Sequence, residues 1–304
     1  MADCPAALPY TPRPSSVSYR DEPWRSVPGD GQGAAALFLS LLKTVLTNGI
    51  HYDQAEPYRL ANGRRSNGGC DYHESQDCTL TWDGWARLTS LEPLVETLLR
   101  DGVTGDFAEV GVFRGGVTMY LQGLLLVHNE TERRDLWVID SFQGMGNLSQ
   151  LRESHNAAGK KLTSYMGRTW ANKLAVRDGG EDAAPGSAVQ DRFLRHGLLR
   201  PNVRIVPGWV EQVLSKVCAP TRPLALLRID VDLYAPTYRA LQGLYPLLQP
   251  GGYVLLDDQK IKDAADAVQR FRLENGVTEP LKLLKGTADP LWYWRKARHP
   301  KASH

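Results

Sequence analysis

The sequence is short of cysteine, of charge of either sign in excess, and of long apolar runs. Its four cysteines, at positions 4, 70, 78 and 218 of 304 residues, are too few and too scattered for a disulfide framework. Lys and Arg number 36 against 34 Asp and Glu, a net charge of +2. With no basic run and no interleaving of basic and aromatic residues, no nucleic-acid partner is expected. No apolar stretch approaches the roughly 18 residues that span a bilayer, so no membrane partner is expected either. The opening MADCPAALPYTPRPSS has no apolar segment after a basic start and does not read as a secretory signal. A reduced, cytoplasmic protein is the expectation. Cys70, His73 and Cys78 are zinc-type ligands in a polar loop, but a structural zinc site takes about four ligands, and the group reads as loop residues without metal.

What is present is an ordinary globular composition, 42% apolar and 23% charged, in a chain long enough for one large α/β domain or two small ones. Residues 1–32, rich in Pro, Ser and Gly, read as a flexible N-terminal arm. Residues 34–46 have apolar positions at helical spacing and stop at Asn48-Gly49. Residues 60–80 are a polar, Gly-rich loop, and 88–99 predict a second helix with Pro93 in its first turn. Residues 33–100 thus form an N-terminal helical, lid-type region. From 101 to 304 strand and helix alternate. GDFAEVGV, DLWVIDSF, VRIVPGW, LALLRIDVDL and GYVLLDD read as strands, with helices at 116–129, 238–248 and 261–275 and a late strand at LWYWRK. Such alternation predicts a doubly wound α/β sheet with right-handed crossovers. Residues 143–200 interrupt it with polar sequence (RDGGEDAAPGSA) and a helix near 188–196, an insertion placed to act as a lid over the sheet edge.

Two strands end in acid. LALLRI runs into Asp230-Val231-Asp232, and GGYVLL runs into Asp257-Asp258. Both clusters are expected at the carboxyl ends of neighbouring parallel strands, the edge where open α/β sheets bind ligands. Carboxylates converging there repel unless protons or a divalent cation sit among them, which points to a metal site. Alternatively, Asp230 and Asp232 cap the next helix or pair with Arg228 or a nearby Lys.

The first strand ends in Glu109-Val110-Gly111-Val112-Phe113-Arg114-Gly115-Gly116 before a helix. Glycines at such a turn let a ligand approach the backbone, and the helix start favours an anionic group; tight packing is the alternative. The spacing G-x-x-x-G-G differs from the G-x-G-x-x-G of dinucleotide enzymes and suits a nucleoside with a small charged tail. Asp140, followed by Ser141 at the end of the second strand, is placed to hydrogen-bond a ribose diol or to cap a helix. Trp209, after the third strand, is either an adenine wall or core. Tyr234 and Tyr238 follow the acidic cluster and either touch the acceptor or pack. His51, His73, His128, His155 and His196 lie in or near loops and receive no role.

The stretches ARLTSLEPLVETLLRDGVTGDFAEVGVFRGG, LWVIDSFQGM, LLRIDVDLYAPTYRALQGLYPLLQPGGYVLLDD and the terminal YWRK resemble the macrocin O-methyltransferase family. The resemblance implies a class I, Rossmann-like S-adenosylmethionine methyltransferase sheet with a helical lid insertion. It implies a dimeric enzyme that uses S-adenosylmethionine and Mg2+ to methylate a sugar hydroxyl of a glycosylated natural product. Carried over by position, Asp230, Asp257 and Asp258 are the Mg2+ ligands, and Asp232 is the general base, so that Asp232 and Asp230 carry the catalysis. Glu109, Gly111 and Asp140 fall in the S-adenosylmethionine motifs, with Gly115 and Ser141 in the same turns and Trp209 beside them. In that chemistry a metal chelated by vicinal hydroxyls lowers the acceptor pKa and fixes it in line with the methyl group. Val231 stands where the family has Gly, Gln259-Lys260 where an aromatic follows, and LLKGTADPLW lacks the usual Asp-Trp; these departures bear on the acceptor. A catechol acceptor suits a chelated diol equally. A nicotinamide-dependent oxidoreductase is disfavoured by the glycine spacing and the surplus of carboxylates, and a non-catalytic protein retaining the fold by the intact acidic set.

Overall fold

The computed structural model describes residues 31–47, 80–81, 83–144, 186–216, 223–284 and 291–298. The expectations for residues 1–30, the 60–79 loop with Cys70, His73 and Cys78, His51, Cys218 and residues 145–185 of the insertion, with His155, lie outside the described residues.

The chain begins with α1 (Gly31–Leu46) and α2 (Trp85–Arg100). Then come β1 (Asp106–Val110), α3 (Gly116–Val127), β2 (Leu136–Asp140), α4 (Gly186–Arg195), β3 (Val203–Pro207) and α5 (Val210–Lys216). They are followed by β4 (Leu224–Ile229), α6 (Tyr234–Leu244) with a 3-10 turn (Tyr245–Leu247), β5 (Leu248–Leu256), α7 (Lys262–Glu274), β6 (Lys282–Leu283) and β7 (Trp292–Arg295). The strands form one sheet in the order β3-β2-β1-β4-β5-β7-β6. Strands β1 to β5 pair in parallel, while β7 runs antiparallel to both β5 and β6. This is the doubly wound α/β sheet that the alternating pattern predicts. The order reverses between β1 and β4, and a ligand crevice opens at such a reversal. In register, Val110 lies opposite Ile229, and Ile229 opposite Leu256. The segments after β1, β4 and β5 therefore emerge side by side.

The central strands are buried on both faces, as their continuous apolar runs require. Alternate residues serve opposite layers. Phe107, Leu226 and Leu255 face α1, α2, α3 and α4. Ala108, Leu227 and Val254 face α5, α6 and α7. Helix α2 presents Leu88, Leu91, Leu94 and Leu98 to the first layer. Each such leucine contributes about 1.5–3 kcal/mol by burial. No helix among the described residues is long and apolar enough to cross a membrane.

Three local features differ from the sequence expectation. Helix α2 begins at Trp85, so Pro93 lies inside it rather than in its first turn. Pro93 is exposed, and the backbone bond it removes falls on the water side, where helix carbonyls already tilt outward. Helix α6 starts at Tyr234 rather than 238, because Pro236 sits in its first turn, where it needs no N–H partner. Helix α5 and strand β6 are too short to leave a readable period.

Candidate functional site

The acidic half of the site is built on β4 and β5. One carboxylate oxygen each from Asp230, Asp257 and Asp258 falls within 4.8 Å of the others. Asp232 approaches from the same loop: its backbone N–H donates to Asp258 Oδ2 at 2.8 Å. Its φ of +58° is left-handed, a conformation that Asp tolerates better than most residues and that turns the loop back toward β5.

Beneath these carboxylates lie two buried arginines. Arg228, the penultimate residue of β4, donates to Glu109, Asp83 and Asp257 and pairs with Asp230 at 2.9 Å. Arg87, on the buried face of α2, donates to Asp83 and Asp257. Burial alone would lower the Arg228 pKa, but Asp230, Asp83, Glu109 and Asp257 carry it well above its ordinary value. The carboxyls move upward too. Burial, then Asp257 and Asp258, push Asp230 well above the carboxylate range. Burial, then Asp232 and Asp257, do the same to Asp258. Asp257 is raised by burial and Asp83 against the opposing pull of both arginines. These groups resist ionising together, and an added cation relieves that resistance. The donor set is all oxygen, which fits Mg2+ or Ca2+ rather than a softer metal.

The second half is built on β1 and β2. Gly111 has φ +82°, and a Cβ there would lie 1.7 Å from the Asp230 carbonyl oxygen. Only glycine allows the end of β1 to press against the acidic loop, and this contact joins the two halves. Gly115, at φ +89°, is the N-cap residue just before α3. Asp140 accepts backbone N–H bonds from Val112 at 2.7 Å, Phe113 at 3.3 Å and Phe142 at 2.7 Å. Burial still raises its pKa against those bonds. Ser141 Oγ accepts from the Gln143 N–H and donates to the Gly144 carbonyl, both at 3.1 Å. Trp209 is half-buried at the end of β3, next to Gly208, whose N–H donates to the Asp140 carbonyl at 2.8 Å.

Glu109 sits lower, 1% exposed, with one oxygen on Arg228 and the other on the Thr118 hydroxyl. It therefore ties β1, β4 and α3 together under both halves. Burial pushes its pKa to about 7, against the opposing influence of Arg228 and Thr118.

The structure thus brings Asp230, Asp232, Asp257 and Asp258 together, and Gly111, Gly115, Asp140 and Ser141 around the adjoining turn. Asp230 both joins the cluster and pairs with Arg228. Of the histidines in described residues, His128 follows α3 and His196 follows α4, where its ring approaches the Arg192 carbonyl at 2.7 Å. Tyr234 and Tyr238 stack on each other and bond Arg270 and Glu274. Sequence reading missed Asp83 and Arg87. A signal existed: Arg87 occupies the apolar stripe of α2, in line with Leu91, Leu94 and Leu98, where a charge needs a partner.

Residues 37–296 match the profile of the macrocin O-methyltransferase (TylF) family. The chain is 36% identical over 268 residues to the 8-demethyl-8-(2,3-dimethoxy-alpha-L-rhamnosyl)-tetracenomycin-C 4'-O-methyltransferase of Streptomyces olivaceus, covering 87% of this chain and 94% of that one. It is 32% identical over 268 residues to the mycinamicin III 3''-O-methyltransferase of Micromonospora griseorubida, covering 86% and 96%. Among solved structures, the O-methyltransferase NovP superposes with a TM-score of 0.66 at 29% identity, covering 87% of this chain and 100% of that one.

Proposed function

The chain belongs to the macrocin O-methyltransferase family and is an O-methyltransferase, and from that premise we propose that it methylates a sugar hydroxyl of a glycosylated natural product, using S-adenosylmethionine at the β1–β2 turns and Mg2+ at Asp230, Asp257 and Asp258. The observation that carries this reading is the approach of those three carboxylates to within 4.8 Å, directly against the Gly111 turn. The rhamnosyl substrate named for the Streptomyces olivaceus relative supports a sugar acceptor.

When bound, S-adenosylmethionine would supply the electrophilic methyl group, and Mg2+ held by Asp230, Asp257 and Asp258 would lower the pKa of the acceptor hydroxyl. The chain's own residues do the rest. Asp232 takes the hydroxyl proton on its carboxylate, held in place by the bond from its backbone N–H to Asp258. A positioned base of this kind contributes about 10²–10⁴-fold to rate. Asp140 fixes the backbone of the first turn and keeps one acceptor site, on Oδ1, for a ribose hydroxyl. Gly111 and Gly115 keep the turn clear of side chains, Ser141 braces the second turn, and Trp209 walls the far side toward β3. Glu109 supports both halves from below. The enzyme works as a cytoplasmic homodimer in this reading.

The test is transfer of labelled methyl from S-adenosylmethionine to a panel of rhamnosylated and other glycosides, with catechols alongside, in Mg2+ or in EDTA. Mg2+-dependent labelling of a glycoside is expected. Labelling of catechols alone would overturn the sugar assignment, and full labelling in EDTA would overturn the metal assignment.

A further inference from the structure

Asp257 holds both buried arginines at once: Arg87 Nη2 donates to Oδ1 and Arg228 Nη2 to Oδ2. Asp83 mirrors it, with Oδ1 accepting from Arg87 Nη1 and Oδ2 from Arg228 Nη2 at 2.9 Å. The result is a closed ring of four charged side chains drawn from the start of α2, β4 and the end of β5. Asp83 is itself pinned, since its backbone N–H donates to Thr81 Oγ1 at 2.9 Å.

Charge explains why the ring does not cancel the acidic site above it. Even without Glu109, four carboxylates (Asp83, Asp230, Asp257 and Asp258) face two guanidiniums (Arg87 and Arg228), so net negative charge is left for a cation. Geometry explains why arginine is used. A guanidinium fork spans two carboxylates in fixed directions, whereas an ammonium is a point charge that fixes neither. Each carboxylate oxygen has two acceptor sites, so Asp257 can keep its arginine bonds and still present lone pairs to a metal. Arg87 Nε meets no acceptor among the described residues, so the side chain leaves one buried donor unmet while both ends of its fork reach acids.

We infer that Asp83, Arg87 and Arg228 form a positioning ring that fixes the Asp257 carboxylate for its cation, making the N-terminal helix α2 a working part of the metal site. The inference rests on the metal reading above. Arg87 and Asp83 are positioning residues, not ligands. Partners that orient a ligating side chain typically account for 10–100-fold in metal affinity.

The experiment measures Mn2+ uptake by electron paramagnetic resonance, and S-adenosylmethionine affinity by calorimetry, in the full chain and in three variants: Arg87→Lys, Asp83→Asn and Asp258→Ala. Arg87→Lys retains the charge and much of the volume. The expected result is a loss of Mn2+ affinity of about 10–100-fold in Arg87→Lys and Asp83→Asn, with S-adenosylmethionine affinity unchanged. Wild-type Mn2+ affinity in both variants, with affinity lost in Asp258→Ala, would overturn the positioning ring and leave the metal reading standing. Parallel loss of Mn2+ and S-adenosylmethionine would reduce the ring to a scaffold and overturn the inference. No Mn2+ uptake by the wild type would remove the metal reading, and the ring's role with it.

Discussion

The two halves of the site meet at Gly111 but are held by different means. At the ends of β4 and β5, charged side chains organise one another: four acids, Asp83, Glu109, Asp230 and Asp257, bond two buried arginines, Asp258 accepts the Asp232 N–H, and the backbone is ordinary except at Asp232. At the ends of β1 and β2, backbone conformation dominates. Phe113 at φ +53° and Phe142 at φ +55° are left-handed, and a single carboxylate, Asp140, gathers three N–H groups. Non-glycine residues in that region cost of order 1–3 kcal/mol each and persist where the surroundings over-determine them. A site for a small hard cation needs fixed charge. A site for a nucleoside needs a fixed backbone and room.

The largest effect separating the halves is expected from Arg228→Met. It leaves Glu109, Asp83 and Asp257 short of a buried cation, and should destabilise the fold by about 3–5 kcal/mol in urea unfolding. A loss below 1 kcal/mol would mean the acids are not ionised together. Next comes Asp232→Asn, which should lower kcat by about 10²–10⁴-fold while sparing S-adenosylmethionine affinity. Steady-state kinetics on the acceptor found by screening would detect it, and an unchanged kcat would remove Asp232 as the base.

Glu109 sharpens the comparison through pH. Its folded pKa of about 7 lies above its ordinary value of 4.5. The folded state therefore holds a proton that the unfolded state has released across that window, and stability falls as pH rises from 4.5 to 7. The contribution is present in full below the lower value and is lost above the upper one. Unfolding free energies measured along that range should decline in the wild type and less steeply in Glu109→Gln, where the raised Asp230, Asp257 and Asp258 still contribute; parallel curves would contradict the shift. The smallest effect is that of Asp140→Asn, which replaces an acceptor oxygen with a donor facing backbone N–H groups. It should cost about 1–3 kcal/mol and weaken S-adenosylmethionine binding while leaving Mn2+ uptake intact.

Much of this was legible in sequence because strand ends are. Short apolar runs such as LALLRI and GGYVLL, set between helical patterns, read as central strands, and parallel register then places their terminal acids together. The glycine turn and Asp140 were legible for the same reason. The ring under Asp257 was not. Arg87 and Asp257 are 170 residues apart in the chain, and an arginine in the apolar stripe of α2 announces that it needs a partner but not which one. The depth of Glu109 was also hidden: alternation assigns a strand residue to a face, but it does not say that a charged one will find Arg228 and Thr118 waiting there.

The most direct test of a joint metal and cofactor site is anomalous diffraction from a crystal grown with S-adenosylmethionine and MnCl2. A single strong manganese peak bounded by Asp230, Asp257 and Asp258, with cofactor density along the Gly111 turn, is predicted. Manganese elsewhere, or none with the cofactor in place, would contradict the account.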